Sequence, residues 1–153
     1  MAPKIAMTNE IDTSALTFDD IKTNAMGGKV VYLSYPEMKR FTMQTPFMGA
    51  PFGVSDFKDE KTGIVKYSID VSFNGMDTNV KVKDFHDKMV ELDAKVVEVG
   101  VDRSKDWFGA KKKKEIVEEL YRSLVKQPKD PKWAPTMKIK LPSRDGKITC
   151  KIY

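Results

Sequence analysis

The segment Ile64–Phe73 constrains the fold of this chain most, because from Val65 onward its side chains alternate between apolar and polar. The apolar positions are Val65, Tyr67, Ile69, Val71 and Phe73. The polar positions are Lys66, Ser68, Asp70 and Ser72. Successive side chains of a β-strand point to opposite faces of its sheet, so this pattern predicts a strand with one face in the core and the other in solvent.

Two shorter strands are predicted before this segment, each followed by a proline. Lys29–Tyr35 is rich in β-branched and aromatic residues, and Arg40–Thr45 alternates polar with apolar residues. Residues 46–54 contain two Pro, two Gly and two Phe, which indicates an aromatic loop. The first 27 residues show no such regularity, so residues 1–27 are expected to form a partly mobile lead-in.

Two helices are predicted after the central strand. Apolar residues recur at spacings of three and four between Val82 and Val99, the stripe typical of an amphipathic helix. The Asp, Thr and Asn at positions 77–79 can cap its start and Gly100 its end, although its valine-rich last turns also fit a strand. A second helix is predicted over Lys112–Val125, since its apolar residues recur every four positions.

The chain ends in a predicted hairpin. Met137–Leu141 and Lys147–Tyr153 both alternate at period two, and Asp145-Gly146 lies between them as a strong turn signal. Strands, then helices, then strands predict the α+β class, and the inventory matches an OB-like five-stranded β-barrel with one or two inserted helices. This domain is expected to span residues 28–153.

The charge of the chain is unevenly distributed along the sequence. Lys and Arg number 27 against 22 Asp and Glu, a net charge of +5, yet the segment from Gly100 to the end holds 15 against 7 and so carries +8. Such an asymmetry favours a polyanionic partner. Lysines outnumber arginines 23 to 4, which favours attraction to phosphates over the bidentate reading of bases.

Several classes of protein are disfavoured by the sequence. A single cysteine, Cys150, excludes an internal disulfide, and a single histidine, His86, excludes histidine-based metal clusters. The carboxylates Asp56, Asp59 and Glu60 lie in a segment that is typical of a hairpin turn rather than a magnesium site. No apolar run could span a bilayer or serve as a signal peptide. We therefore expect a soluble, unsecreted, noncatalytic protein without cofactor or metal and without a membrane partner.

Basic and aromatic side chains are the strongest candidates for a functional surface. Binding of single strands without sequence preference needs cations along the phosphate chain and exposed rings on which bases stack. The strand faces offer lysines, the loops offer Phe and Trp, and Trp107 immediately precedes the basic run Lys111–Lys114. The alternative is structural: the lysines only solvate the sheet, and Trp107 anchors a helix to the core.

Four segments carry a resemblance to a known family: FTMQTPFMGAPFG (Phe41–Gly53), YSIDVSFNG (Tyr67–Gly75), WFGAKKKKEIVEELY (Trp107–Tyr121) and KWAPTMKIKLP (Lys132–Pro142). Together they resemble the single-stranded-DNA-binding proteins of large nucleocytoplasmic DNA viruses, distant kin of the replication-associated OB-fold proteins of some tailed phages. The resemblance implies a protein that coats single-stranded DNA in viral replication, repair or recombination, in the host cytoplasm (viral factory) or nucleus. The phage proteins end in an acidic tail, whereas this chain ends in Lys151-Ile152-Tyr153.

The resemblance also implies a set of DNA-binding residues. They are Arg40, Phe47, Phe52, Lys66, Trp107, Lys111, Lys112, Lys113, Lys114, Lys138 and Lys140. Single-stranded DNA is the expected partner, with replication proteins and further copies of the chain as additional candidates. The alternative function is that of a structural or interaction protein of a virion or replication complex, whose basic face meets an acidic partner.

Overall fold

The computed structural model describes residues 5–38 and 40–150, and the chain forms two compact units. Unit 1 consists of Met1–Pro46 and Asp84–Ser123, and unit 2 consists of Phe47–Lys83 and Leu124–Tyr153. Each unit is therefore assembled from two separate stretches of sequence. The division into residues 1–27 and 28–153 stays a prediction.

Three α-helices are present in the described part of the chain: α1 (Val80–Asp102), α2 (Ser104–Phe108) and α3 (Lys114–Leu120). The prediction of a long amphipathic helix is confirmed, and Asn79 caps it, since its Oδ1 accepts a hydrogen bond from the Lys81 amide at 3.1 Å. Its valine-rich end is helical and continues past Gly100. The predicted second helix is shorter than expected and ends at Leu120.

The N-terminal segment of unit 1 is hydrogen-bonded to α1 and to Arg103, which directly follows this helix. It contains two 3₁₀ turns, Thr8–Glu10 and Thr13–Ala15, and its buried side chains include those of Ile11, Leu16 and Phe18. The Lys88 ammonium donates to the Ile11 carbonyl at 2.7 Å, and the Arg103 guanidinium donates to the Phe18 carbonyl at 2.7 Å. The Thr13 hydroxyl donates to the Glu91 carboxylate. Residues 11–18 thus contribute to the core of unit 1.

Four short strands complete unit 1: β1 (Thr17–Phe18), β2 (Lys22–Thr23), β3 (Lys29–Val30) and β4 (Leu33–Ser34). They pair as β1 with β4 and β2 with β3, both antiparallel. The predicted strand Lys29–Tyr35 is therefore two short strands with different partners. The predicted strand Arg40–Thr45 is wrong for the residues that are described, because Met43 makes only an isolated bridge to Ala6.

Unit 2 is built on an antiparallel sheet of four strands: β5 (Val54–Lys58), β6 (Val65–Ser72), β7 (Val125–Lys126) and β8 (Thr136–Leu141). Their order is β5-β6-β8-β7, so the strongly alternating segment of the sequence forms the long strand β6, as predicted. The hairpin turn between β5 and β6 is also confirmed, since the Asp59 amide donates to the Ile64 carbonyl at 2.9 Å.

A small hairpin ends the described part of unit 2. Strands β9 (Ser143–Arg144) and β10 (Lys147–Ile148) pair across Asp145 and Gly146, whose φ angles of 52° and 75° lie in the left-handed region that a tight hairpin requires. The predicted turn is confirmed, but Met137–Leu141 pairs with β6 and β7, whereas Lys147–Ile148 pairs with β9. The predicted last strand ends at Ile148 and is therefore wrong for Thr149 and Cys150, while residues 151–153 lie outside the described residues.

The architecture is α+β, with three helices and several antiparallel sheets in residues 5–38 and 40–150. None of these sheets closes into a barrel, and the largest is open at β5 and β7. A closed five-stranded barrel is therefore not shown. No helix within the described ranges has the length and apolarity needed to cross a membrane.

Candidate nucleic-acid interface

One face of the unit 2 sheet gathers lysines from three strands. Residues that are directly opposite in an antiparallel ladder point to the same face, so the register decides which side chains are neighbours. Asp70 lies opposite Lys138 and Ser68 opposite Lys140, while Lys126 on β7 lies opposite Thr136. We call the lysines of this face the lysine stripe. Its members are Lys66, Lys140, Lys138 and Lys126.

The lysine stripe runs diagonally across the sheet. Lys66 on β6 is the diagonal neighbour of Lys140 on β8. Lys138 lies on the same strand as Lys140, two residues earlier in the sequence and about 7 Å away along the strand. Lys126 continues the line on β7. All four side chains are exposed, and within the described residues no carboxylate comes within 4.0 Å of their ammonium groups. The stripe is therefore a continuous line of positive charge that is open to solvent.

Few other charges share this face. Apart from the stripe, the strand residues that point to it are Ser55, Phe57, Ser68, Asp70, Ser72 and Thr136. Four lysines thus stand against the single carboxylate of Asp70, which leaves a positive face. The opposite face is the apolar one, where Val125 and Met137 are buried.

Exposed aromatic rings lie at both ends of the stripe. Phe57 on β5 is directly opposite Lys66 on the same face, and its side chain is 68% exposed. At the other end, Lys126 leads into the loop 127–135, which carries Trp133 at 65% exposure. Both rings offer an apolar surface to solvent, an arrangement that suits stacking of unpaired bases.

Trp133 is held outward by a tight turn. The Trp133 amide donates to the Asp130 carbonyl at 3.1 Å, and the Asp130 carboxylate accepts a hydrogen bond from the Lys132 amide at 3.0 Å. The Lys132 ammonium is 3.7 Å from that carboxylate and 5.3 Å from the centre of the indole ring. The turn therefore orients the ring and places a positive charge next to it.

Phe47 and Phe52, both predicted site residues, are exposed on the segment that leads into β5. Ala50–Gly53 forms a turn in which the Gly53 amide donates to the Ala50 carbonyl at 3.1 Å. Gly53 has a φ of 60°, which a residue with a side chain adopts only with strain. Phe52 within the turn is 71% exposed, and Phe47 is fully exposed. The structure thus places both rings in unit 2, together with three of the predicted lysines.

The other predicted site residues belong to unit 1. They are Arg40, Trp107, Lys111, Lys112, Lys113 and Lys114. Arg40 is exposed. Trp107 is half-buried, with its ring 6.2 Å from that of Phe18, and it lines a groove of about 330 Å³ together with Val96 and Phe108. Because Gly100 has no side chain, the indole can lie close to α1, so the ring has a packing role there.

The basic run before α3 has acidic neighbours. Lys111, Lys113 and Lys114 are exposed, and the Lys114 ammonium lies 3.8 Å from the Glu118 carboxylate. The Lys112 amide donates to the buried Ser104 hydroxyl at 3.0 Å, which fixes the start of the run. A role of these lysines in DNA binding stays a prediction.

The two units carry different net charges. Unit 2 contains 13 Lys and Arg against 7 Asp and Glu, a net charge of +6, whereas unit 1 contains 14 against 15, a net charge of −1. The positive charge of the protein is therefore concentrated in the unit that carries the lysine stripe. This favours unit 2 as the surface that meets a polyanion.

Three side chains of this surface are missing from the residues predicted from sequence: Phe57, Lys126 and Trp133. Phe57 lies in the segment that is predicted to form a hairpin turn, yet the alternation Val54-Ser55-Asp56-Phe57 carries a weak strand signal. Lys126 comes directly after the predicted helix Lys112–Val125. Trp133 lies between Pro131 and Pro135, and this position is the sequence signal that favours a loop.

Comparison of the chain with protein-family models, with curated proteins and with solved structures finds no match. The resemblance to viral single-stranded-DNA-binding proteins therefore stays an expectation. What the chain can bind is inferred below from the charges and rings of unit 2.

Proposed function

We propose that this protein binds single-stranded DNA without sequence preference, on the face of the unit 2 sheet that carries the lysine stripe. The observation that supports this most is the register of the sheet. It places four exposed lysines in line, with the exposed ring of Phe57 directly opposite the first of them. Binding then combines lysine–phosphate attraction with stacking of bases on Phe57 and Trp133, and no catalysis is involved.

The composition of the surface favours unpaired strands over a duplex. Rings can stack only on bases that are free of a double helix, and exposed Phe and Trp side chains stack on any base, so this mode carries little sequence information. Ammonium groups act as point charges towards phosphates, whereas bidentate recognition of guanine is typical of arginine. The stripe contains lysines alone.

The resemblance adds the biological setting to this proposal. It assigns the protein to viral DNA replication, repair or recombination, in the host cytoplasm (viral factory) or nucleus, with replication proteins as further partners. We also propose that the fold is related to the OB-like five-stranded barrel. Binding on the stripe needs only the exposed sheet face and does not depend on closure of the sheet.

The test compares two triple variants that lower the net charge equally, from +5 to +2. In the first, Lys66→Gln, Lys138→Gln and Lys140→Gln remove three members of the stripe. In the second, Lys22→Gln, Lys29→Gln and Lys105→Gln remove three exposed lysines of unit 1. Binding to a labelled oligo(dT) is followed by fluorescence anisotropy over a range of salt concentrations.

We expect the stripe variant to bind more weakly and its plot of log K against log salt to be shallower by about 2, as expected for three lost phosphate contacts on a single strand. The unit 1 variant should retain the slope of the unaltered protein. Equal losses in both variants would show that only net charge matters and would contradict the assignment. If poly-glutamate of the same charge competes as well as oligo(dT) does, the alternative of an acidic protein partner is favoured.

A further inference from the structure

The edge strand β5 has one side without a partner in the described chain. It pairs only with β6, and no other strand in residues 5–38 or 40–150 lies along its free side. All five of its residues are exposed, including the apolar Val54 and Phe57. An exposed edge with apolar side chains is a template for pairing with another strand.

The ladder between β5 and β6 shows which backbone groups point to the free side. The Asp59 amide donates to the Ile64 carbonyl, and the register of β5 against β6 continues this pair without a shift. In an antiparallel ladder, alternate residues bond to the same neighbour. The backbone N–H and C=O groups of Ser55 and Phe57 therefore point to β6. Those of Val54, Asp56 and Lys58 point to the free side of the strand.

We propose that β5 pairs antiparallel with β5 of a second copy of this chain, with Phe57 on the two-fold axis. In this register Asp56 of each copy lies opposite Lys58 of the other, so two pairs of opposite charge form. Asp56 and Lys58 are also the residues whose backbone groups point outward, and their pairing gives four hydrogen bonds between the strands. The two Phe57 rings lie opposite each other, a favourable cross-strand pair.

Charge complementarity selects this register over its neighbours. A two-fold axis at Asp56 would place the two Asp56 carboxylates opposite each other, and like charges in that position are destabilising. An axis at Ser55 would leave Lys58 without an acidic residue opposite it. Only the axis at Phe57 gives every charged side chain of β5 a partner of opposite sign.

The pairing has a consequence for the whole surface. The two-fold axis of an antiparallel strand pair is perpendicular to the sheet, so both lysine stripes lie on the same side of one continuous sheet. The dimer would thus present a longer positive face than one chain does. The proposal stands on the geometry of β5 and does not depend on nucleic-acid binding.

The test measures the mass of the full chain in solution by light scattering and sedimentation. We expect a concentration-dependent species of twice the 17.4 kDa chain mass. Asp56→Lys alone and Lys58→Asp alone each turn two attractive pairs into two repulsive ones and should raise the dimer Kd by about tenfold or more. The double variant Asp56→Lys/Lys58→Asp exchanges the charges and should restore the dimer.

Three results would overturn the proposal. The first is a protein that stays a monomer up to about 1 mM, where even a complex of millimolar Kd is populated. The second is a single variant that dimerises as the unaltered protein does, and the third is a double variant that does not recover. Both exchanged residues point to the face opposite the lysine stripe. The double variant also keeps the net charge of the protein, so its binding of oligo(dT) reports separately on the proposed function.

Discussion

At the scale of single residues, the two tryptophans differ in solvent exposure. Trp107 packs against Phe18 and over Gly100 in unit 1, whereas Trp133 projects from a turn in unit 2. Their sequence contexts are similar, since each has a lysine and an alanine within three residues. Their roles follow from what surrounds them in space, which the sequence order does not reveal.

Phe57 is the ring whose contribution to binding can be separated from charge. We expect Phe57→Leu to weaken oligo(dT) binding by about tenfold, in line with the loss of one stacked base. The dependence of affinity on salt should stay unchanged, because no charge is removed. Leucine retains much of the apolar bulk, so the loss reports on the ring. The measurement is the anisotropy titration described above.

Tyr32→Leu is the matched control, since Tyr32 is an exposed ring in unit 1. It should leave the affinity unchanged. A comparable loss in both variants would mean that Phe57 has no special place in binding.

At the scale of elements, α3 shows how a short helix is held by its surroundings. Its seven residues are too few for a stable isolated helix. Val117 is buried, and the hydroxyl of Tyr121, at the end of α3, donates to the Asp93 carboxylate on α1 at 2.5 Å. Burial, together with the hydrogen bond and negative charge of Asp93, raises the pKa of Tyr121 above its usual value of 10.0.

We expect Tyr121→Phe to lower the free energy of unfolding by about 1 kcal/mol at neutral pH, because the hydrogen bond to Asp93 is lost. The raised pKa means that the folded state favours the neutral hydroxyl. The stabilisation is therefore fully present below about pH 10, where the unfolded chain is also neutral, and is lost as the pH rises beyond it. Urea denaturation across this range measures both effects.

In the Tyr121→Phe variant, the decrease in the free energy of unfolding that ionisation of the Tyr121 hydroxyl causes at alkaline pH should be absent. Tyr32→Phe serves as the control and should change the free energy of unfolding by less than about 0.5 kcal/mol. Parallel pH profiles for the unaltered protein and Tyr121→Phe would show that the bond between α3 and α1 does not form in solution.

At the scale of the whole molecule, charge is distributed by unit and not by position along the chain. The last third of the sequence is strongly basic, but its run Lys111–Lys114 belongs to unit 1, whose many acids bring the net charge to −1. The lysines from Lys126 onward belong to unit 2, whose net charge is +6. A polyanion should therefore meet unit 2 first.

This distribution yields a direct comparison of the two lysine clusters. The variant Lys111→Gln/Lys112→Gln/Lys113→Gln has the same net charge as the stripe variant. We expect it to retain most of the affinity for oligo(dT), and to reduce the salt slope by less than half as much as the stripe variant does. A loss equal to that of the stripe variant would extend the binding surface to unit 1, as the sequence predicted.

Strand β6, helix α1 and the Asp145-Gly146 turn were determined by the sequence itself. Their signals are local: alternation at period two, an apolar stripe with a capping Asn79, and a dipeptide that accepts left-handed backbone angles. The tertiary structure alone decided that Val125-Lys126 leaves the helical pattern to become a strand, and that Phe57 faces Lys66. Strand register and burial depend on residues distant in sequence, so the lysine stripe exists only once the sheet has formed.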